Sequence, residues 1–138
     1  MMVSTKGRYA LRVLIDLAVN SQGSYVSLKG VAERQEVSMK YLENIVGLLS
    51  KAGFVESMRG KNGGYRLKEE PSKYTIGSVL KLTEGTLAPV SCSKLSGGTE
   101  CARSEQCMTL PLWRKLDKII DDYLGSVTLE DLINRNVE

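Results

Sequence analysis

Cys92, Cys101 and Cys107 are the only cysteines of the chain, and all three fall between Val90 and Trp113, with eight and then five residues between them. The intervening residues are mostly Gly, Ser, Thr, Glu and Lys, the composition of a loop. A lone cysteine is usually a small buried hydrophobe, but this stretch offers little apolar surface to bury against. Thiolates are soft ligands, and three on one loop suit an iron–sulfur cluster or zinc. Structural zinc sites favour closely spaced cysteine pairs, which these gaps do not supply. Unrelated free thiols are the other reading of the same residues. If metal binds, it must supply the free energy of ordering a glycine-bearing loop, so occupancy and loop structure are coupled. The chain has no histidine and no recognisable nucleophile–base pair, which argues against an enzyme acting on a small-molecule substrate.

The elements around that loop follow from periodicity and caps. Ser4 caps a helix whose apolar face is Ala10, Leu11, Leu14, Ile15, Leu17 and Ala18, running to about Asn20. Lys6, Arg8 and Arg12 make its first turns basic. Ser27 caps a short helix with Leu28, Val31 and Ala32 inward, and the chain turns over Glu33 to Val37. Ser38 caps a third helix, Met39 to about Ala52, with Leu42, Ile45, Val46 and Leu49 inward and Gly53 as its stop. This is the helix-turn-helix pattern, and its second helix would present Ser38, Lys40, Tyr41, Glu43 and Asn44 outward. Lys suits phosphate or guanine, Asn suits adenine, and Tyr and Ser suit phosphate oxygens. A merely solvated helix face would look similar.

Two strand-forming runs come next, Phe54 to Met58 and Tyr65 to Leu67, joined by Arg59-Gly60-Lys61-Asn62-Gly63-Gly64. Asn-Gly predicts a tight hairpin, because both residues accept positive φ. A basic hairpin directly after three such helices reads as a wing, with Arg59 and Lys61 at a tip that can enter a minor groove. Thr75 caps a further helix with Ile76, Val79, Leu80 and Leu82 inward, expected to close the winged-helix core. After the cysteines a long helix starts near Thr109 and ends at Gly125, with Pro111 tolerated in its first turn. Its stripe of Leu112, Trp113, Leu116, Ile119, Ile120, Tyr123 and Leu124 is wide. It either packs back on its own domain or meets its copy in a dimer, and a reader of two-fold half-sites favours the dimer. Thr128 to Asp131 starts a short final turn expected to dock against a neighbour.

Length, charge and apolar content bound these readings. At 138 residues and 42% hydrophobic the chain is one ordinary domain, or a domain with an appended helix. Net charge is +3, split into +5 over residues 1–84 and −2 over 85–138. A basic front and an acidic rear suit a polyanion reader with a separate sensing or assembly part. No membrane partner is expected, since no run of about 18 apolar residues exists. An odd cysteine number and the absence of a secretory signal pattern place the chain in the cytoplasm.

Ser4-Thr5-Lys6-Gly7-Arg8-Tyr9-Ala10-Leu11, Tyr41-Leu42-Glu43, Arg59-Gly60 with Gly63-Gly64-Tyr65, and Leu112-Trp113 together resemble the Rrf2 family of bacterial winged-helix regulators over nearly the full length. The likeness is nearest to its IscR-type members and extends to the NsrR and CymR types. It implies a mainly α fold: a winged helix-turn-helix domain over 1–85 with a two-stranded β-wing, a cysteine-bearing iron–sulfur loop over 86–108, and a long C-terminal dimerisation helix with its tail over 109–138. It implies a homodimer on a double-stranded DNA operator. It also implies a cluster, [2Fe–2S] or alternatively [4Fe–4S], on Cys92, Cys101 and Cys107. IscR-type members add a histidine shortly after the third cysteine, a position that falls on Leu110 here. The fourth ligand then passes to Glu100 or Glu105, a partner carboxylate, solvent or a small thiol. The expected function is cluster-responsive control of genes such as those for iron–sulfur assembly. Two alternatives stand beside it: a cluster-free CymR-like or thiol-redox repressor, and a small iron–sulfur protein of electron transfer or cluster delivery.

Overall fold

The computed structural model describes residues 3–91 and 106–137, in the order α1 (Thr5–Asn20), α2 (Leu28–Gln35), α3 (Met39–Lys51), β1 (Val55–Met58), β2 (Gly64–Leu67), a 3₁₀ turn at Pro71–Lys73, α4 (Ile76–Glu84), α5 (Leu110–Ser126) and α6 (Leu129–Ile133). Four expected caps form as predicted. The side chains of Ser4, Ser27, Ser38 and Thr75 accept the backbone N–H of Gly7, Gly30, Tyr41 and Ser78, three residues on in each case. Each satisfies one of the donors that a helix start leaves without an intrahelical partner. The inward stripes of α1, α3 and α4 meet in one core in which Leu14, Leu17, Leu42, Leu49 and Val79 are fully buried.

Local geometry departs from the expected pattern at several points. α2 continues through Gln35, and the reversal is concentrated at Glu36 in a left-handed conformation (φ 54°) rather than spread over five residues. The wing strands pair antiparallel from Val55 with Leu67 to Met58 with Gly64. Their connection is not the two-residue Asn-Gly turn: the positive φ values fall on Gly60 (+114°) and Gly64 (+151°) instead. Gly63 and Gly64 answer to close approach as well, since a Cβ on either would lie 2.1 Å from a backbone oxygen, of Met58 and Val26 respectively. Val26 is the reason at Gly64, because it adds a third rung by exchanging both backbone hydrogen bonds with Tyr65 at 2.8 Å. The wing is thereby tied to the segment that leads into α2.

The end of the chain also returns to this core, which is not complete without it. Thr128 bridges Thr75 in antiparallel fashion, the Ile76 N–H donates to the Val127 carbonyl at 2.8 Å, and the Leu129 N–H donates to the Tyr74 carbonyl at 3.0 Å. Leu129 is fully buried there, while a Thr128–Asp131 capping box starts α6. The final turn thus docks on its own domain. α5 passes through Gly125 to end at Ser126 and runs antiparallel to α4. Gly77 meets the Leu124 carbonyl carbon and Gly125 nitrogen within 3.3–3.4 Å of a Cβ position, and Lys81 pairs with Asp121 at 2.6 Å. Only Leu110 of α5 is buried. Among the described residues no helix is long and apolar enough to cross a membrane.

Candidate nucleic-acid interface and thiol site

A buried carboxylate locks the two-helix unit together. Asp16 lies within the apolar stripe of α1 at 4% exposure, where an unpartnered carboxylate would be costly. Its oxygens accept from Arg34 Nε (3.0 Å) and Nη2 (2.7 Å), Gln35 Nε2 (2.8 Å) and Asn20 Nδ2 (3.3 Å). Arg34 and Gln35 form the last turn of α2, so one carboxylate fixes the end of that helix just before Glu36 turns the chain into α3. The Asp16 hydrogen bond, opposed by desolvation, raises the Arg34 guanidinium further above its ordinary value. Periodicity did not single out this hub, although an Asp between Ile15 and Leu17 was its visible trace.

The polar and basic residues expected to contact DNA lie on α3, the wing and the start of α1. Lys40, Glu43 and Asn44 are exposed, side by side at helical spacing. Ser38 is exposed and uses a lone pair on the Tyr41 N–H, which leaves its hydroxyl hydrogen to donate outward. Tyr41 is only half-exposed, because its ring packs edge-on against Tyr9 of α1 with centroids 5.9 Å apart. Arg59 and Lys61 are exposed on the wing loop, and Lys6 and Arg8 on the first turns of α1. Arg8 makes one weak contact, Nη2 to Thr5 Oγ1 at 3.4 Å. The start of α1 is anchored by Glu84 at the end of α4, whose carboxylate accepts from the Ser4 N–H and, at 2.8 Å, from its hydroxyl. Burial pushes the Glu84 carboxyl up, but these bonds, Thr83 and the nearby Lys6 outweigh it and hold it below the ordinary value.

Of the proposed ligands, Cys92, Cys101, Glu100 and Glu105 lie outside the described residues. Cys107 is half-buried just before α5, its Sγ sharing a hydrogen bond with Thr109 Oγ1 at 3.2 Å. The Thr109 hydroxyl, then the backbone N–H of Thr109 and, against some burial, that of Leu110, pull the thiol below its ordinary value. A thiol pulled below its ordinary value beside a helix start suits soft-metal ligation, so the one described member of the donor set fits the group. Among the described residues no three acidic or thiol groups converge on a point. Along α5, Leu112, Ile119 and Tyr123 are 58%, 51% and 46% exposed, while Trp113, Leu116 and Ile120 are half-buried. Ile120 and Leu124 pack against the core, while Leu112, Ile119 and Tyr123 are left exposed among the described residues.

Comparison with known proteins agrees with this architecture. Residues 3–135 match the family profile described as Rrf2, iron-dependent transcriptional regulator. The regulator IscR of Vibrio atlanticus is 39% identical over 136 residues, which span 99% of this chain and 77% of that one. Among solved structures, CymR (YrzC), the global cysteine regulator of B. subtilis, superposes with a TM-score of 0.79 at 37% identity, covering 98% of each chain. T. potens IscR gives 0.74 at 34% identity, covering 99% of this chain and 89% of that one. These relatives are regulators rather than enzymes. With α1 to α3 and the paired strands forming a winged helix-turn-helix, this chain belongs to the Rrf2 family of DNA-binding transcriptional regulators.

Proposed function

We propose that two copies of this chain form a cytoplasmic regulator whose grip on a palindromic operator is set by an iron–sulfur cluster bound at Cys92, Cys101 and Cys107. The observation that carries the reading is the placement of Cys107. Its thiol, pulled below its ordinary value, stands just before α5, the helix that leaves Leu112, Ile119 and Tyr123 exposed. When bound, the cluster supplies a redox- and iron-sensitive crosslink between that helix start and the rest of the loop. Ordering the loop would bias how α5 leaves the reading domain, and hence the spacing of two recognition helices. Glu100 or Glu105 is the loop carboxylate best suited to complete the donor set, since the chain has no histidine. Division into a reading domain over 1–85, a sensing loop over 86–108 and an assembly segment over 109–138 follows from the same reading.

Anaerobic reconstitution with iron and sulfide tests this. Visible absorption bands, bound iron and sulfide, and a change in operator affinity on loading are expected, all lost in the Cys107→Ala variant. Colourless, iron-free protein that still binds its operator would instead favour a second reading, a cluster-free thiol-responsive or partner-responsive repressor. The missing histidine and the likeness to CymR favour that reading.

A further inference from the structure

Among the described residues, three arginines are held in place by well-formed hydrogen bonds, and they differ in what holds them. Arg34 is neutralised by Asp16 and Arg66 by Glu56, each at 2.7 Å. Arg12 is held by neutral groups only. Its Nε donates to Gln35 Oε1 at 2.8 Å and its Nη2 to the Gln35 carbonyl at 3.4 Å, while its guanidinium lies 4.5 Å over the Tyr9 ring centroid. No carboxylate among the described residues lies within ion-pairing distance of it. Gln35 cannot swing away, since its amide nitrogen is spent on the buried Asp16 carboxylate at 2.8 Å. On the other side Tyr9 abuts Tyr41, in the first turn of the reading helix. Arg12 is thus an exposed, immobilised, uncompensated charge one aromatic pair away from the helix end that faces DNA.

We propose that Arg12 is a further DNA-backbone ligand, a guanidinium preorganised by the Tyr9 ring and the Gln35 amide, with Asp16 as the buried anchor, that takes a phosphate oxygen of the duplex. Its remaining N–H groups form the planar fork that matches phosphate oxygens. Because the side chain is already fixed, little rotamer freedom is lost on contact. A stacked arginine that served only to brace α1 against α2 would not need to keep its charge open.

The test is a salt titration by fluorescence anisotropy, using a duplex selected by the full-length protein from a random library and an unrelated duplex. Arg12→Gln is expected to make the dependence of log K on log salt shallower by about 0.9 per protomer. It should weaken both duplexes by the same factor, about tenfold at low salt. Gln35→Leu keeps the charge, so the slope should stay and affinity fall by a smaller factor. Arg12→Lys should recover the slope but not the full affinity. A neutral methylphosphonate at one phosphate per half-site should cost the wild type affinity and cost Arg12→Gln nothing. An unchanged slope in Arg12→Gln, full recovery by lysine, or the absence of such a phosphate would each overturn the assignment. The inference rests on the DNA-binding function. A wild type that binds neither duplex would sink that function itself, whereas wild-type binding with an unaltered Arg12→Gln slope sinks Arg12 alone.

Discussion

α3 and α5 are written in the same code and meet opposite fates. Both carry apolar residues every three to four positions and a charged opposite face. In α3 the stripe of Leu42, Ile45, Val46 and Leu49 is sealed to 1% exposure or less by α1 and α2. In α5 the equivalent stripe has Leu112, Ile119 and Tyr123 about half open, and only Leu110 is buried. The difference is one of available partners rather than of sequence quality. α1, α2 and β1 already fill the space around α3, whereas α5 packs on α4 along one edge and leaves Leu112, Ile119 and Tyr123 exposed among the described residues. An apolar face of that width is stable in water when a second copy covers it.

The comparison can be broken by measurement, starting where the largest effect is expected. Leu42→Ala should cost about 2–5 kcal/mol of folding free energy through lost burial and a cavity, read by chemical unfolding. A loss below about 1 kcal/mol would mean that α3 is not sealed as described. Asp16→Ala removes one partner of a pair whose other side chain is 41% exposed, so the cost should be smaller, about 2 kcal/mol after solvent screening. It should also weaken DNA binding by loosening the end of α2. An unaltered melt would remove Asp16 from its role as hub.

The Ser4–Glu84 contact sharpens the same contrast through pH. The folded-state carboxyl is depressed, so its contribution to stability is fully present above the unfolded glutamate value of about 4.3. It declines as pH falls from there and is gone below the folded value. Glu84→Gln should flatten that part of the acid melting profile, and an identical profile in the variant would count against the contact. Least of all should the reading domain feel Ile119→Glu, whose effect on unfolding of the monomer should be within about 0.5 kcal/mol. The same change should nevertheless turn a dimer into a monomer in sedimentation. If Ile119→Glu stayed dimeric, or melted the fold as Leu42→Ala does, α5 would not be the interface.

What the sequence made legible is what depends on neighbours along the chain. Ser4, Ser27, Ser38 and Thr75 announce helix starts because a cap acts on an N–H three residues away. The stripes of α1 and α3 announce their buried faces because helical periodicity is local. The rest needed contacts across the fold. Asp16 acquires its role only when α2 brings Arg34 and Gln35 to it. Val26 becomes a third rung only because Tyr65 arrives beside it, and that arrival, not a turn preference, fixes Gly64. Asn62-Gly63 carried a strong turn signature, yet the longer loop moved the positive φ to Gly60 and Gly64. Leu129 read as part of a final turn that would dock against a neighbour, because nothing nearby in sequence shows that Tyr74 waits to pair with it. Of the site, the exposed α3 residues and wing cations were readable as types, and Tyr41's half-burial was not.

The bridge between Thr75 and Thr128 bears on the spacing of the cysteines. It clasps the foot of the antiparallel pair of α4 and α5, so the stretch from Gly85 to Thr109 connects the helix ends opposite that clasp. Lengthening such a stretch enlarges an existing loop, and each doubling costs only about 0.6 kcal/mol in closure entropy. The spacing of its cysteines can therefore change at little cost to the clasp that holds the helix pair.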